Sequence, residues 1–172
     1  MWKTVLFLMF TLVIVPIITF NFDVALTNLQ HETLSTLLWV YAIAAGLCFV
    51  VSTITNNYSQ VDKVWSIIPA PYAWIIAYQS GFEARIVLMA CLVTFWAIRL
   101  SYNFARRGGY SWKFWTGVED YRWPILRAKP EFQAPWKWVS FNFFFISGYQ
   151  MGLILLFTLP ALKAMESNVP LG

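Results

Sequence analysis

Asp62 and Tyr72 are the side chains best suited to handle a proton within an otherwise oily stretch, SQVDKVWSIIPAPYAW. With Trp65 and Pro69 they stand at i, i+3, i+7 and i+10, which puts all four on one helical face. A carboxylate at the mouth of a membrane span is costly unless it pairs or lines a wet cavity. Two arrangements satisfy that condition. In one, Asp62 sits at the interface beside Lys63, with Trp65 and Tyr72 in the aromatic belt. In the other, Asp62 and Tyr72 line a substrate pocket with Trp65 and give or take a proton there.

A second constellation is RLSYNFARRGGYSWKFWTGVEDYR, residues 99–122, which gathers four arginines, one lysine, Gly108-Gly109 and Glu119-Asp120. Arg99, Tyr102, Asn103, Arg106 and Tyr110 share nearly one face if the helix runs on past the bilayer. Guanidinium forks on such a face match phosphate oxygens two at a time. The glycine pair is expected to end the helix and let backbone approach a ligand. Glu119 and Asp120 either bind sugar hydroxyls or pair with Arg106, Arg107 or Arg122. A positive-inside loop with local salt bridges accounts for the arginines equally well. It leaves Asn103, the glycines and the acids unexplained. A third group, Asn142, Phe145 and Tyr149, lies on one face at i, i+3 and i+7, and either holds helices together or lines a cavity.

These groups need elements to position them, and composition says which kind. The chain is 59% hydrophobic and only 12% charged, about half the charged share of an average soluble domain. An all-α, polytopic membrane helical bundle follows, forming one integral membrane domain over residues 1–172. Nucleic acid is excluded as a partner, because no soluble basic face or recognition motif accompanies the net charge of +4. Cys48 and Cys91 lie in apolar runs as small hydrophobes. With His31 the only histidine, no metal site is expected.

Five apolar stretches approach the roughly 20 residues that cross a bilayer. They are Val5–Phe20, Leu34–Ile54, Val61–Tyr78, Ile86–Tyr102 and Val139–Leu162. No small-x-small cleavage site follows the first, so it is expected to be a retained helix rather than a signal peptide. Eight of the twelve basic residues fall between Arg99 and Lys137. The positive-inside rule therefore puts the basic, aromatic loop at 99–138 and the N-terminus in the cytoplasm, with Asp23 and Glu32 outside. The host membrane is then the endoplasmic reticulum or a bacterial inner membrane, since the rule is the same for both.

SQVDKVWSIIP, RLSYNFARRGGY, GVEDYRWPILR and WKWVSFNFFFISGYQ occur in that order. Over about residues 56–160 they resemble the DUF1295 group of the steroid 5-alpha-reductase C-terminal-domain family. That resemblance implies a fold of about seven helices. It also implies an NADPH-dependent reductase of a carbon–carbon double bond in a steroid-like or other lipid substrate. By resemblance, Asp62 and Trp65 fall in the substrate pocket. Arg99, Asn103, Arg106, Glu119, Asp120 and Arg122 fall on the cofactor-binding cytoplasmic segment. The family's later R-x-x-N-Y-x-G-E-like motif has no counterpart before the chain ends at AMESNVPLG, so a fragment or a cofactor-deficient variant is expected. A membrane methyltransferase using S-adenosylmethionine, and a non-catalytic membrane protein, are the alternatives.

Overall fold

The computed structural model describes residues 2–22, 24–113 and 115–166. Eight α-helices follow in order: α1 Trp2–Phe22, α2 Asn28–Thr55, α3 Gln60–Val64, α4 Pro69–Gln79, α5 Ala84–Arg106, α6 Arg122–Arg127, α7 Pro135–Phe141 and α8 Gln150–Lys163. A π-helical segment, Asn142–Tyr149, joins α7 to α8 without a break. No strand occurs among the described residues. Four helices are long and apolar enough to cross a membrane: Lys3–Phe22, Asn28–Thr55, Ala84–Arg106 and the continuous Pro135–Lys163. The chain is thus an all-α membrane bundle.

The third expected span differs in detail. Pro69 and Pro71 carry no N–H to continue a helical ladder, so α3 stops at Val64 and α4 begins afresh with Pro69. At 1.5 Å per residue, α4 alone covers about 16 Å, half a hydrocarbon core. The hairpin it forms with α5 shows the path. Ser66 meets Ser101 at 2.9 Å, and Trp74 donates to Thr94 at 2.9 Å, so the two run antiparallel. The end of α5 therefore returns to the level where α3 begins. Residues 60–79 traverse the bundle as one broken crossing, and the five expected passages become four unbroken helices and this one.

Capping and polar contacts fix the ends. Thr27 and Gln30 form a reciprocal capping box at the start of α2. Gln30 also donates to the Met165 carbonyl, and Lys163 to that of Val24. The end of α8 thus lies beside the start of α2, away from the end that carries α3. Asp23 and the chain's last six residues lie outside the described residues.

Gly81 and Phe82, both at positive φ, turn α4 into α5. At the other end of α5, Gly108 takes φ +77° and stops the helix, as the glycine pair led one to expect. The core is apolar, with Leu37, Tyr72, Ile76, Ile146 and Leu162 fully buried. One polar clasp runs through it. Asn142 donates to Ser52 at 2.8 Å and to Thr53 at 3.1 Å, while the Ser147 hydroxyl donates back to Asn142. The two Asn142 donations cross from the π segment to α2 in a setting where lipid offers no alternative partner.

Candidate functional site

The residues from Asn56 to Lys63 shape the long loop that follows α5, and they do so mostly through its backbone. Gln60, Lys63 and Asn57 donate to the successive carbonyls of Trp115, Thr116 and Gly117, at 3.1, 2.7 and 3.1 Å. One step further, Tyr58 N–H donates to the Glu119 carboxylate at 2.7 Å, and the Asp120 N–H to the Ser59 hydroxyl at 2.8 Å. Tyr110 closes the loop's near end by donating to the Lys63 carbonyl at 2.7 Å. The loop is preorganised rather than loose, because these carbonyls and amides are fixed one by one. Asn57, the acceptor position of an Asn-Tyr-Ser sequon, is spent on this clasp.

Between that segment, the end of α5 and the loop lies a water-facing cleft of about 370 Å³. Its walls carry Asp62 and Ser59 from α3 and its cap, Trp65 from the following turn, Phe104 and Arg107 from the end of α5, and Glu119, Asp120 and Arg122 from the loop. Asp62 accepts a long hydrogen bond from the Trp123 indole at 3.4 Å. Arg122 grips Asp120 with two guanidinium bonds of 2.8 Å, and its own N–H adds a third at 2.9 Å. The Arg122 guanidinium holds the Asp120 carboxyl below the usual carboxylate range, chiefly through those side-chain bonds. Asp120 in turn raises Arg122. Arg107 has no ion-pair partner among the described residues, which leaves it as the cleft's uncommitted cation.

Five residues singled out by sequence meet here: Asp62, Trp65, Glu119, Asp120 and Arg122. The rest do not. Arg99, Asn103 and Arg106 are exposed on another face of α5. The inward strip of that helix is Ala90, Ala97, Ser101 and Phe104, and Arg99 is turned about 200° from Ala97 at 100° per residue. Phe104 and Arg107 therefore reach the cleft, and neither stood among the sequence candidates. The seven-residue spacing of Ala90, Ala97 and Phe104 was the available signal. Gly109 also lines the cleft, and a methyl there would collide with the Phe104 ring.

Tyr72 is fully buried in the bundle, and its hydroxyl has no hydrogen-bond partner among the described residues. Asn142 serves the interhelical clasp described above. Tyr149 stacks on Phe145 at 5.4 Å and an interplanar angle of 7°. It ends an aromatic row that continues through Phe141, Phe132 and Trp138 to Tyr58. That row braces the α2–α3 junction from beneath the cleft. No group of three or more His, Cys, Asp or Glu residues able to hold a metal occurs among the described residues.

Fold and cleft together define a polytopic helical membrane protein with a charged, aromatic-walled cleft at one end of its bundle. Residues 48–171 match the family model described as "Protein of unknown function (DUF1295)". The chain belongs to this family, the steroid 5-alpha-reductase-like one. It is also similar to an uncharacterized protein of Schizosaccharomyces pombe, 35% identical over 127 residues. That match covers 72% of this chain and 35% of the yeast protein, so the chain spans about a third of its relative's length. No solved structure matches.

Proposed function

We propose that this chain forms part of a membrane-embedded, NADPH-dependent reductase of a carbon–carbon double bond in a steroid-like or other lipid substrate. The cleft carries this proposal. Residues of α3 and its flanks, of the end of α5 and of the loop after it build it from carboxylates, a free guanidinium and aromatic walls, directly against membrane-crossing helices. Its donor set fits one end of a dinucleotide. Glu119 suits ribose hydroxyls, Trp65 and Phe104 suit a flat ring, and Arg107 suits one phosphate. Asp120 and Arg122 neutralise each other, so the cleft contains no cluster of free cations. The remaining phosphates would be met by arginines outside it, such as Arg106, or by parts of the protein beyond this chain.

When bound, NADPH supplies a hydride to a polarised alkene. The chain's own residues orient and protonate. In this reading Asp62, held by the Trp123 indole at 3.4 Å, relays the proton between the cleft and water. Tyr72 is the second candidate proton donor, its hydroxyl buried in the bundle outside the cleft and without a hydrogen-bond partner among the described residues. Support for a cytoplasmic cleft is the count of basic residues on its loop, since NADPH is found there.

Titration of the purified protein in detergent with NADPH and with S-adenosylmethionine tests the proposal. Saturable NADPH binding that weakens by about tenfold or more in Arg107→Ala supports it, the loss expected for one charged hydrogen bond. Preference for S-adenosylmethionine overturns it in favour of a methyltransferase. Binding of neither points to a non-catalytic role.

A further inference from the structure

On the opposite side of α3 from the cleft lies a second cavity, a slot of about 320 Å³. Its walls are Leu47, Cys48 and Val51 of α2, facing Val64 and Ile67. Neighbouring residues divide between the two cavities. Asp62 lines the cleft and Lys63 the slot; Gly109 lines the cleft and Tyr110 the slot. One turn of α3 and the Gly109–Tyr110 peptide are thus the partition between a wet site and an oily one.

The slot's mouth and its closed end have different chemistry. At the mouth, Leu47 is 60% exposed and Ile67 45%, on elements that traverse the bundle, so the slot opens toward hydrocarbon. At the closed end, Gln60 and Lys63 are each only 5% exposed. Lys63 donates to the Gln60 side chain at 3.3 Å and to the Thr116 carbonyl, and the Tyr110 hydroxyl donates to the Lys63 carbonyl. These polar groups are spent on the protein itself, which leaves the slot walls with little to offer but apolar contact. Immediately above, Thr116 turns back on Lys113 through both its N–H and its hydroxyl, and Ser111 meets Thr116 at 3.0 Å. This tight turn presents Lys113 and a fully exposed Trp112 to the surroundings. Arg106 and Arg107 precede it, and no acidic residue stands between Glu83 and Glu119.

We infer that slot and turn together bind an anionic phospholipid, one acyl chain in the slot and the headgroup phosphate at the basic rim around Lys113. Exposed tryptophan beside lysine is the pairing that sits at headgroup level, and each basic residue near an anionic surface adds about a fivefold preference. This site is independent of the reductase proposal, since it lies across α3 from the cleft.

Nanodiscs holding equal amounts of phosphatidylglycerol and phosphatidylcholine provide the test, with co-purifying lipid read by native mass spectrometry. Phosphatidylglycerol is expected to be retained over phosphatidylcholine by about fivefold or more. Leu47→Trp, at the exposed mouth, is expected to lower retention of both lipids by filling the slot. Lys113→Glu is expected to abolish the headgroup preference while leaving chain retention intact. Equal retention of both lipids by the unaltered protein overturns the inference. So does a Leu47→Trp variant that folds normally and keeps its lipid, or a preference that survives the charge reversal.

Discussion

Asp120 and Arg122 show how single residues set the cleft's charge. Each is spent on the other, so the pair shapes the loop and leaves Asp62, Glu119 and Arg107 to meet a ligand. The Asp120 carboxyl is depressed in the folded protein. A depressed carboxyl stabilises the fold above its unfolded value near 3.8, and that contribution fades as pH falls through the lower, folded value. The pair is partly solvent-exposed, so its worth is about 0–1 kcal/mol. Thermal unfolding in detergent should show Asp120→Asn slightly destabilised at pH 7, with the gap closing below about pH 4. A gap that widens in acid would reverse the assigned sign. Gly109 makes a second residue-scale case. Alanine there must push the Phe104 ring aside, and a ring is movable where backbone is not. Gly109→Ala should therefore keep the fold, by circular dichroism, while weakening ligand binding in the cleft several-fold. Unaltered binding would remove Phe104 from the site.

At the scale of elements, the segment from Asn57 to Lys63 acts as a template for the loop after α5. This relationship could not be seen in the sequence, because the contacts go to backbone carbonyls and amides, which every residue carries. Asp62 and the Glu119-Asp120 pair were legible as unusual charges; their meeting was not. The α5 face was legible only in part. Its polar residues at Arg99, Asn103 and Arg106 are regularly spaced, but the inward strip consists of alanines, a serine and one phenylalanine, which contrast little with an apolar surround. The signal for the broken third crossing was Pro69 and Pro71, but the shared face of Asp62, Trp65, Pro69 and Tyr72 presumed one unbroken helix; α3 ends at Val64, and Tyr72 lies apart from the cleft that Asp62 and Trp65 line. Asn142 carries the element-scale prediction. Replacing it with leucine takes the acceptor from the buried Ser147 hydroxyl and breaks both bonds to α2, and should cost about 1–2 kcal/mol, read as a lowered denaturation midpoint. Ser52 and Thr53 keep their own bonds to the Phe49 carbonyl in either case, so a neutral outcome would mean that the Ser147 hydroxyl finds another acceptor.

At the scale of the whole molecule, hydropathy was enough for the all-α membrane bundle, because lipid demands long apolar helices with satisfied backbones. The five passages place the start of α1, the α2–α3 junction and the cleft loop at one end, and the α1–α2 turn with the end of α8 at the other. Cysteines introduced at Trp112 and at His31 should accordingly be labelled by a membrane-impermeant maleimide from opposite sides, the first from the cytoplasm. Labelling of both from one side would refute the path traced through α3 and α4. The central claim, that the cleft is one end of a dinucleotide site, is tested most directly by NADPH affinity in three forms of the protein in nanodiscs: unaltered, Arg107→Ala and Arg99→Ala. Binding about tenfold weaker or worse is expected for Arg107→Ala, and no change for Arg99→Ala. Loss confined to Arg99→Ala, with Arg107→Ala unaffected, would contradict the claim.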